Sequence, residues 1–453
     1  MKAELYNYDI YPKVFLCGRE QTVTVQPLGD HAAVPPGTVC QIEIQKMDRD
    51  NWKQYSEISG RKLLTVPVSE DGCLRFAAHY DGEGEYLIWI HPVCASEHKV
   101  ELAVYALEED LIGRLPYRGD LHIHTYRSDA KEAPATVAAN YRGHGYDFMA
   151  ITDHHRYYPS LEAMAAWDGL TDLTLVPGEE VHLPLNDVHY VNFGGRFSIN
   201  ALIAPNHNQE AGGDELRYRS LDGSAPQVMC REEYEKMIRA RAELVPLEHE
   251  SLRLSYAVLQ WTYEQVKKGG GLGIYPHPYW ICPVMQVPED YSRFIYEQAP
   301  FDAFEVLGGE SYYAQNGFQT GFYYEMKARG FDRAVVGSTD THGSTEHNPD
   351  ALLCSTIVFA KENTREGLIE AIKEKCSIAV DTNRCDYRLV GDFRLMKYAS
   401  FLMENYFPLH DLACKAEGYY MNRYLAGDAR AKEILAAMKG QIPEMQRKYF
   451  ARE

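Results

Sequence analysis

Residues 120 to 129 run Asp120-Leu121-His122-Ile123-His124-Thr125-Tyr126-Arg127-Ser128-Asp129. On an extended strand, residues two apart point to one face. His122 and His124 therefore aim together, while Ile123 turns into packing. Two imidazoles at a strand end make half of a metal site. An isolated His-x-His is more often a pair of surface histidines, but this one is not isolated. Asp129 follows at once, and further clusters recur at the ends of apolar runs: Ile151-Thr152-Asp153-His154, Pro177-Gly178-Glu179-Glu180, Val188-His189-Tyr190, Pro276-His277-Pro278 and Ser338-Thr339-Asp340-Thr341-His342. Asp340 and His342 repeat the two-residue step of the first pair. Chemistry collected at successive strand ends is the pattern of an α/β barrel, whose C-terminal strand ends converge.

Outward from this stretch, strands and helices alternate from about 113 to 385. The expected strands include 148–152, 173–176, 188–193, 272–275, 303–307, 334–337, 355–360 and 378–380, with helices over about 134–144, 161–167 and 362–375. Residues 195–268 break the rhythm with a Gly/Asn/Asp-rich loop (206–224) and two helical stretches, about 231–241 and 251–268. This reads as an insertion over one face of the barrel. Its Arg217, Arg219, Arg231, Arg239 and Arg241 could roof a site, and a solvated helix face explains them equally well. Residues 1–112 carry seven short β-branched or aromatic runs separated by turn residues, which predicts a β-sandwich, immunoglobulin-like in outline. His31, His79, His91 and His98 in it show no ligand spacing. Residues 386–453 form a helical C-terminal extension, with apolar residues at three- and four-residue steps over 395–406 and 429–448.

The 453 residues allow two or three domains at roughly 100–200 residues each. Lys and Arg number 46 against 65 Asp and Glu, a formal net charge of −19. That balance disfavours an extended nucleic-acid surface, but bound cations can reverse the local field for a small anionic substrate. No run of apolar residues is long enough to span a bilayer, and the first residues lack the apolar core of a signal peptide. Ten cysteines without a Cys-x-x-Cys pair suggest reduced thiols and a cytoplasmic location. An oligomer could form through the β-sandwich or the C-terminal helices.

Six imidazoles (His122, His124, His154, His189, His277, His342) and three carboxylates (Asp129, Glu180, Asp340) suffice for two or three divalent ions. A donor set without cysteine suits zinc, manganese or iron in a reactive rather than a structural role. The ordered pieces Asp-Leu-His-Ile-His-Thr with Ser-Asp, Ile-Thr-Asp-His, Pro-Gly-Glu-Glu-Val, the His-bearing strand at 188–193, Pro-His-Pro and Gly-Ser-Thr-Asp-Thr-His-Gly resemble the PHP (polymerase and histidinol phosphatase) family. The resemblance spans residues 117–343 and continues weakly to about 380. It implies a distorted (β/α)7 barrel, a trinuclear centre and phosphoester hydrolysis. Carried over by position, it places His122, His124, Glu180 and Asp340 around a first ion. Glu180 bridges to a second ion with His189 and His277, and Asp129, His154 and His342 surround a third. The family's Gly-x-Glu pattern selects Glu180 over Glu179.

His182, two residues after Glu180, shares its face and competes with His189, which is preferred because the family draws this ligand from the next strand. Asp153 is expected to orient an imidazole. His144, His155, His249, His347 and His410 are read as surface or core histidines.

The expected activity is hydrolysis of a small phosphorylated metabolite or nucleotide, with Asp340, His342 and Glu180 at the reacting centre. Arg127 and Arg156 stand beside ligand-bearing turns and could fork onto a phosphate, though each reads equally as a solvated surface arginine. The alternatives are amide or ester hydrolysis at an amidohydrolase-like site, and a barrel kept as a non-catalytic binding module.

Overall fold

The computed structural model describes residues 2, 4–48, 61–92, 100–205, 220–308, 313–345, 354–382 and 388–451. The chain forms two compact units. One is Met1–Leu115 with Phe393–Ala413 and Gly440–Glu453, and the other is Pro116–Asp392 with Cys414–Lys439. The C-terminal helices are thus shared between the units.

The first unit holds β1 (Tyr8–Tyr11), β2 (Val14–Leu16), β3 (Arg19–Pro27), β4 (Val39–Lys46), β5 (Lys62–Pro67), β6 (Leu74–Tyr80), β7 (Gly84–Pro92) and β8 (Val100–Leu107). They make a three-stranded sheet, β1-β3-β6, and a five-stranded sheet, β2-β8-β7-β4-β5. Along β6 the burial alternates strictly, with Leu74, Phe76, Ala78 and Tyr80 inward, as a period of two requires. The two sheets close on one apolar core that includes Val23, Ile42, Phe76, Ile88 and Val104. Seven of these strands coincide with the runs read in the sequence, and β1 is an addition. The helices Phe393–Asn405 and Gln441–Tyr449 belong to this unit, and Tyr398 and Phe401 pack their rings on Tyr105 at 5.0 and 5.4 Å. The helix expected over 429–448 is two, Ala429–Met438 and Gln441–Tyr449, because Gly440 takes φ +91 between them. His98 lies outside the described residues.

The second unit contains β9 (Leu115–Asp120), β10 (Phe148–Ala150), β11 (Thr174–Val176), β12 (Gly178–Val181), β13 (Tyr190–Phe193), β14 (Ile203–Ala204), β15 (Met229–Cys230), β16 (Leu272–Tyr275), β17 (Ala303–Leu307), β18 (Ala334–Gly337), β19 (Cys354–Ala360), β20 (Ser377–Asp381) and β21 (Arg388–Val390). One sheet runs β11-β10-β9-β19-β20-β21 and another β12-β13-β16-β17-β18. Parallel bridges Ile123–Thr341 and His154–Glu180 join the two sheets into a curled α/β half-barrel. The strand alternation is not uniformly parallel, as a regular barrel would have it. β13 is antiparallel to both β12 and β16. Only residues 182–189 connect β12 to β13, too few for the crossover that a parallel pair needs.

Helices Pro134–Gly143 and Tyr158–Trp167 each begin with proline in the first turn, where its missing N–H costs nothing. Helix Arg365–Lys373 is capped by Thr364, whose hydroxyl accepts from the Gly367 N–H at 3.1 Å. Gly119 pairs with Phe148 in the β9–β10 ladder, and a Cβ there would sit 2.2 Å from the phenyl ring. The strand that carries His122 and His124 reaches its neighbour only with glycine at that position.

The insertion is packed on the core of this unit. Its helices Arg231–Ala242 and Glu250–Lys268 send Tyr234, Ile238, Tyr256, Trp261 and Val266 into the same core as Tyr275 of β16 and Phe304 of β17. Arg231 and Arg239 pair with Glu235, and Arg241 pairs with Glu264 at 2.9 Å. Those charges therefore serve the helix surfaces. Arg217, Arg219, His347 and the loop 206–219 lie outside the described residues.

Candidate metal centre

Short strands aim the site residues at one place. His122 and His124 leave the C-terminal end of β9, His154 that of β10, His277 that of β16, and Asp340 and His342 that of β18. Glu180 sits on β12. His189 instead precedes its strand, because β13 runs antiparallel and enters the sheet at the site's end. In the β12–β13 register Glu180 lies opposite Val191 and Val181 opposite Tyr190. The next step sets His182 opposite His189, on the face of Glu180. Their rings are 4.4 Å apart. The structure thus brings both histidines to the cluster, where the sequence posed a choice between them.

Glu180 is the hub, fully buried. Its Oε2 lies 2.5 Å from His154 Nδ1, 3.3 Å from His182 Nε2, 3.6 Å from His122 Nε2 and 3.7 Å from His124 Nε2. Its Oε1 lies 2.7 Å from His189 Nδ1 and 3.6 Å from His277 Nε2. Asp340 Oδ1 is 2.7 Å from His124 Nε2 and 3.3 Å from His122 Nε2, and its Oδ2 is 3.8 Å from His277 Nε2. Asp129 Oδ2 is 3.2 Å from His342 Nε2 and 3.4 Å from His154 Nε2. All nine residues read as ligands are in this one cluster. The backbone is bent to serve it: His277 and Asp340 take φ +24 and +49, rare for side chains other than glycine and typical of functional sites.

The donor chemistry fits divalent metal. His122 Nε2 and His124 Nε2 face each other at 3.3 Å, and His154 Nδ1 and His182 Nε2 at 2.9 Å. Among the described residues, both oxygens of Glu180, both ring nitrogens of His277 and Nδ1 of His189 are buried and make no well-aligned hydrogen bond, only ionic contacts within the cluster. Orphaned buried groups carry a penalty of about 1–3 kcal/mol each, which a cation in their midst would remove. Several subsets have donor atoms within 4.8 Å of one another: His122, His124 and Asp340; His122, Glu180 and His277; His154, Glu180 and His182; and His124, Asp129, His154 and His342.

The cluster's electrostatics follow from burial set against charge. Burial opposes the charged form of His154, but Glu180 and Asp129 outweigh it and raise its pKa to about 11. His122 is likewise raised, with Asp340, Glu180 and Glu305 overcoming its burial. His124 and His189 are lowered to about 4, chiefly by burial. Burial works against the charged forms of Glu180 and Asp340, and the surrounding imidazoles nevertheless hold both well below the usual carboxylate range.

Around the cluster, the reading of Asp153 changes. Asp153 does not orient an imidazole. It accepts from Thr125 N–H at 2.7 Å, Thr125 Oγ1 at 2.6 Å and Ser128 Oγ at 2.5 Å, and so ties down the turn that presents Asp129. Arg127 turns to Glu162, donating from Nε at 2.9 Å, and lies over the rings of Tyr126 and Tyr158. Arg156 is half-buried in the turn after His155. His155 itself packs its ring 4.7 Å from His182 at the edge of the cluster, which its reading as a surface or core histidine did not foresee.

Glu179 alternates away from Glu180. It accepts from Ser198 Oγ at 2.6 Å, Asn200 Nδ2 at 2.9 Å, Asn192 Nδ2 at 3.1 Å and the Ile199 N–H. Asp120 is another buried anchor, accepting from Thr339 Oγ1 at 2.6 Å and Tyr141 OH at 3.1 Å, and burial pushes its pKa up to about 7. Glu305, in the wholly buried strand β17, was missed in the sequence although a lone acid in Ala303-Phe304-Glu305-Val306-Leu307 was a visible signal.

No family model and no curated protein matches this chain. Among solved structures it is similar to a two-domain protein containing a predicted PHP-like metal-dependent phosphoesterase from Bacteroides vulgatus. The identity is 17%, the TM-score 0.38, and the match covers 59% of this chain and 66% of that one. It is also similar to a candidate metal-dependent phosphoesterase from Bifidobacterium adolescentis (19% identity, TM-score 0.31, 51% of this chain and 89% of that one). A third is an amidohydrolase from Chromobacterium violaceum with bound sulfate and no metal (18% identity, TM-score 0.29, 49% and 87%). At this level of likeness none of them decides the chemistry, which rests on the residues of this chain.

Proposed function

We propose that this chain is a metal-dependent hydrolase that cleaves a phosphoester of a small metabolite or nucleotide. The observation that carries the metal dependence is Glu180: a sealed carboxylate ringed by imidazoles, without a well-aligned hydrogen bond, whose two oxygens face different histidines. The phosphoester follows from the ordered motifs of residues 117–343. His122, His124, Glu180 and Asp340 would hold one ion, Glu180, His189 and His277 a second, and Asp129, His154 and His342 a third. His182 is placed to assist the second or third. Divalent ions bound in such a set supply Lewis acidity toward a phosphoryl oxygen and lower the pKa of water.

The chain's own residues divide the remaining work. The side chains of His122, His124 and Glu180 are fully buried and fix the centre. Asp340 is 18% exposed, so its carboxylate can reach a water and hold it by accepting a hydrogen bond. His342 and Asp129 are 42% and 50% exposed and form the open side, where an anionic substrate would arrive. The insertion helices wall this unit as part of its core.

The test is a substrate panel on protein with zinc, manganese or iron restored. Phosphomonoesters, phosphodiesters and nucleotides are compared with amides and carboxylic esters. Metal-dependent phosphate release is the expected result. Cleavage of amides alone would favour the amidohydrolase reading, and no turnover with metal bound would favour a binding module.

A further inference from the structure

We propose that Glu305 is the positioning residue of this centre: its carboxylate sets the ring of His122 and the backbone of His277, two residues from different strands. The inference rests on the metal reading above.

Glu305 has no packing reason to be where it is. Every residue of β17 is buried, and enclosing a carboxylate among apolar neighbours costs several kcal/mol unless it is paired. Both of its oxygens are committed. His122 Nδ1 lies 3.1 Å from Oε2, where with Glu305 ionised it donates, and the backbone N–H of His277 donates to Oε1 at 3.3 Å. This separates it from Glu180, whose oxygens face six imidazoles without a well-aligned hydrogen bond. One acid is arranged as a ligand, the other as a support.

The consequence for His122 is specific. A carboxylate only accepts hydrogen bonds, so Nδ1 keeps a proton toward Glu305, and Nε2 is the nitrogen turned to Asp340 and Glu180, at 3.3 and 3.6 Å, where a metal would take the place of its proton. With Nδ1 anchored, the ring cannot flip without losing its partner. At His277 the same carboxylate holds the peptide N–H of a residue at φ +24. The surroundings make room for it. A Cβ on Gly308 would fall 2.1 Å from Glu305 Oε1, and Gln319 Nε2 donates to the Glu305 carbonyl at 3.4 Å. Carboxylate–histidine–metal arrangements of this kind fix ligand orientation and basicity, and their loss weakens metal affinity by about 10–100-fold.

The experiment uses the full-length chain, stripped of metal and titrated with cobalt(II) against a competing chelator. Affinity is read together with the visible cobalt spectrum. E305L, which keeps bulk but no acceptor, should bind cobalt about 10–100-fold more weakly with shifted bands. E305Q, whose amide oxygen can still accept from His122, should fall between. In the H122A background E305L should lose much of its effect. Full affinity and an unchanged spectrum in both variants would overturn the proposal. So would E305Q losing one whole ion, which would make Glu305 a ligand. Wild type that binds no cobalt would instead overturn the metal reading beneath it. If E305L fails to fold, E305Q and the 15N signals of His122 in zinc-loaded wild type still decide. A proton on Nε2 and not on Nδ1 would refute the arrangement.

Discussion

Replacing Glu180 by glutamine keeps the shape of the hub and removes its charge. Six imidazoles lie within 3.7 Å of its carboxylate, two on Oε1 and four on Oε2. Breaking a buried charged set by removing one partner costs about 3–5 kcal/mol. At about 1.4 kcal/mol per tenfold, that is a loss of roughly two to nearly four orders of magnitude in affinity for ions that share this residue. Because its oxygens face the histidines of the first and second ions, those ions should be lost together, and the third should weaken through His154, 2.5 Å from Oε2. The assay is elemental analysis after dialysis against a graded chelator, with phosphate release measured on the same samples. Glu179→Gln is the contrast. Its side chain faces Ser198, Asn200 and Asn192, so it should lower the melting temperature and leave metal content unchanged. Full metal content and near-normal activity in Glu180→Gln would refute the reasoning.

Asp340→Ala should cut phosphate release by at least about 100-fold, the scale of a lost general acid–base group, with partial metal loss and a retained fold by circular dichroism. His189→Ala should cost more activity than His182→Ala, since its Nδ1 is closer to Glu180, 2.7 against 3.3 Å; the reverse order would reassign the second ion. His154, with its pKa raised to about 11, and His122, also raised, hold protons in the metal-free cluster. Metal must displace those protons, so calorimetry in buffers of different ionisation enthalpy should show proton release at neutral pH. A raised folded pKa stabilises fully below the unfolded value of about 6.5. The metal-free protein should therefore lose the His154 contribution as pH climbs from there toward about 11, which melts against pH would show. Replacing residues 200–245 by a short linker should destabilise the second unit rather than simply alter substrate preference, because Tyr234 and Ile238 are core residues; a soluble, fully folded variant would contradict that.

The site was legible in the sequence because its residues sit at the ends of short apolar runs, where a period of two fixes the face. His122 and His124 share a face with Ile123 turned away, and Asp340 and His342 repeat the step. The antiparallel course of β13 was not legible. It depends on a connection too short for a crossover, and it places His182 and His189 side by side instead of in competition. How the insertion packs was not legible either: helical periodicity at Tyr234 and Ile238 marks an apolar face but not the core it joins. Glu305 went unremarked because its role depends on His122, 183 positions away. Asp153 was read by its neighbour His154, whereas its hydrogen bonds run to Thr125 and Ser128.

The most direct measurement is the metal content of the full-length chain, purified without chelators and analysed by mass spectrometry of the elements. Nine convergent donors predict two or three divalent transition ions per chain, falling when Glu180 or Asp340 is replaced. A chain that carries no such ion, takes up none from manganese, zinc or iron, and gains no activity in their presence would contradict the metal centre itself.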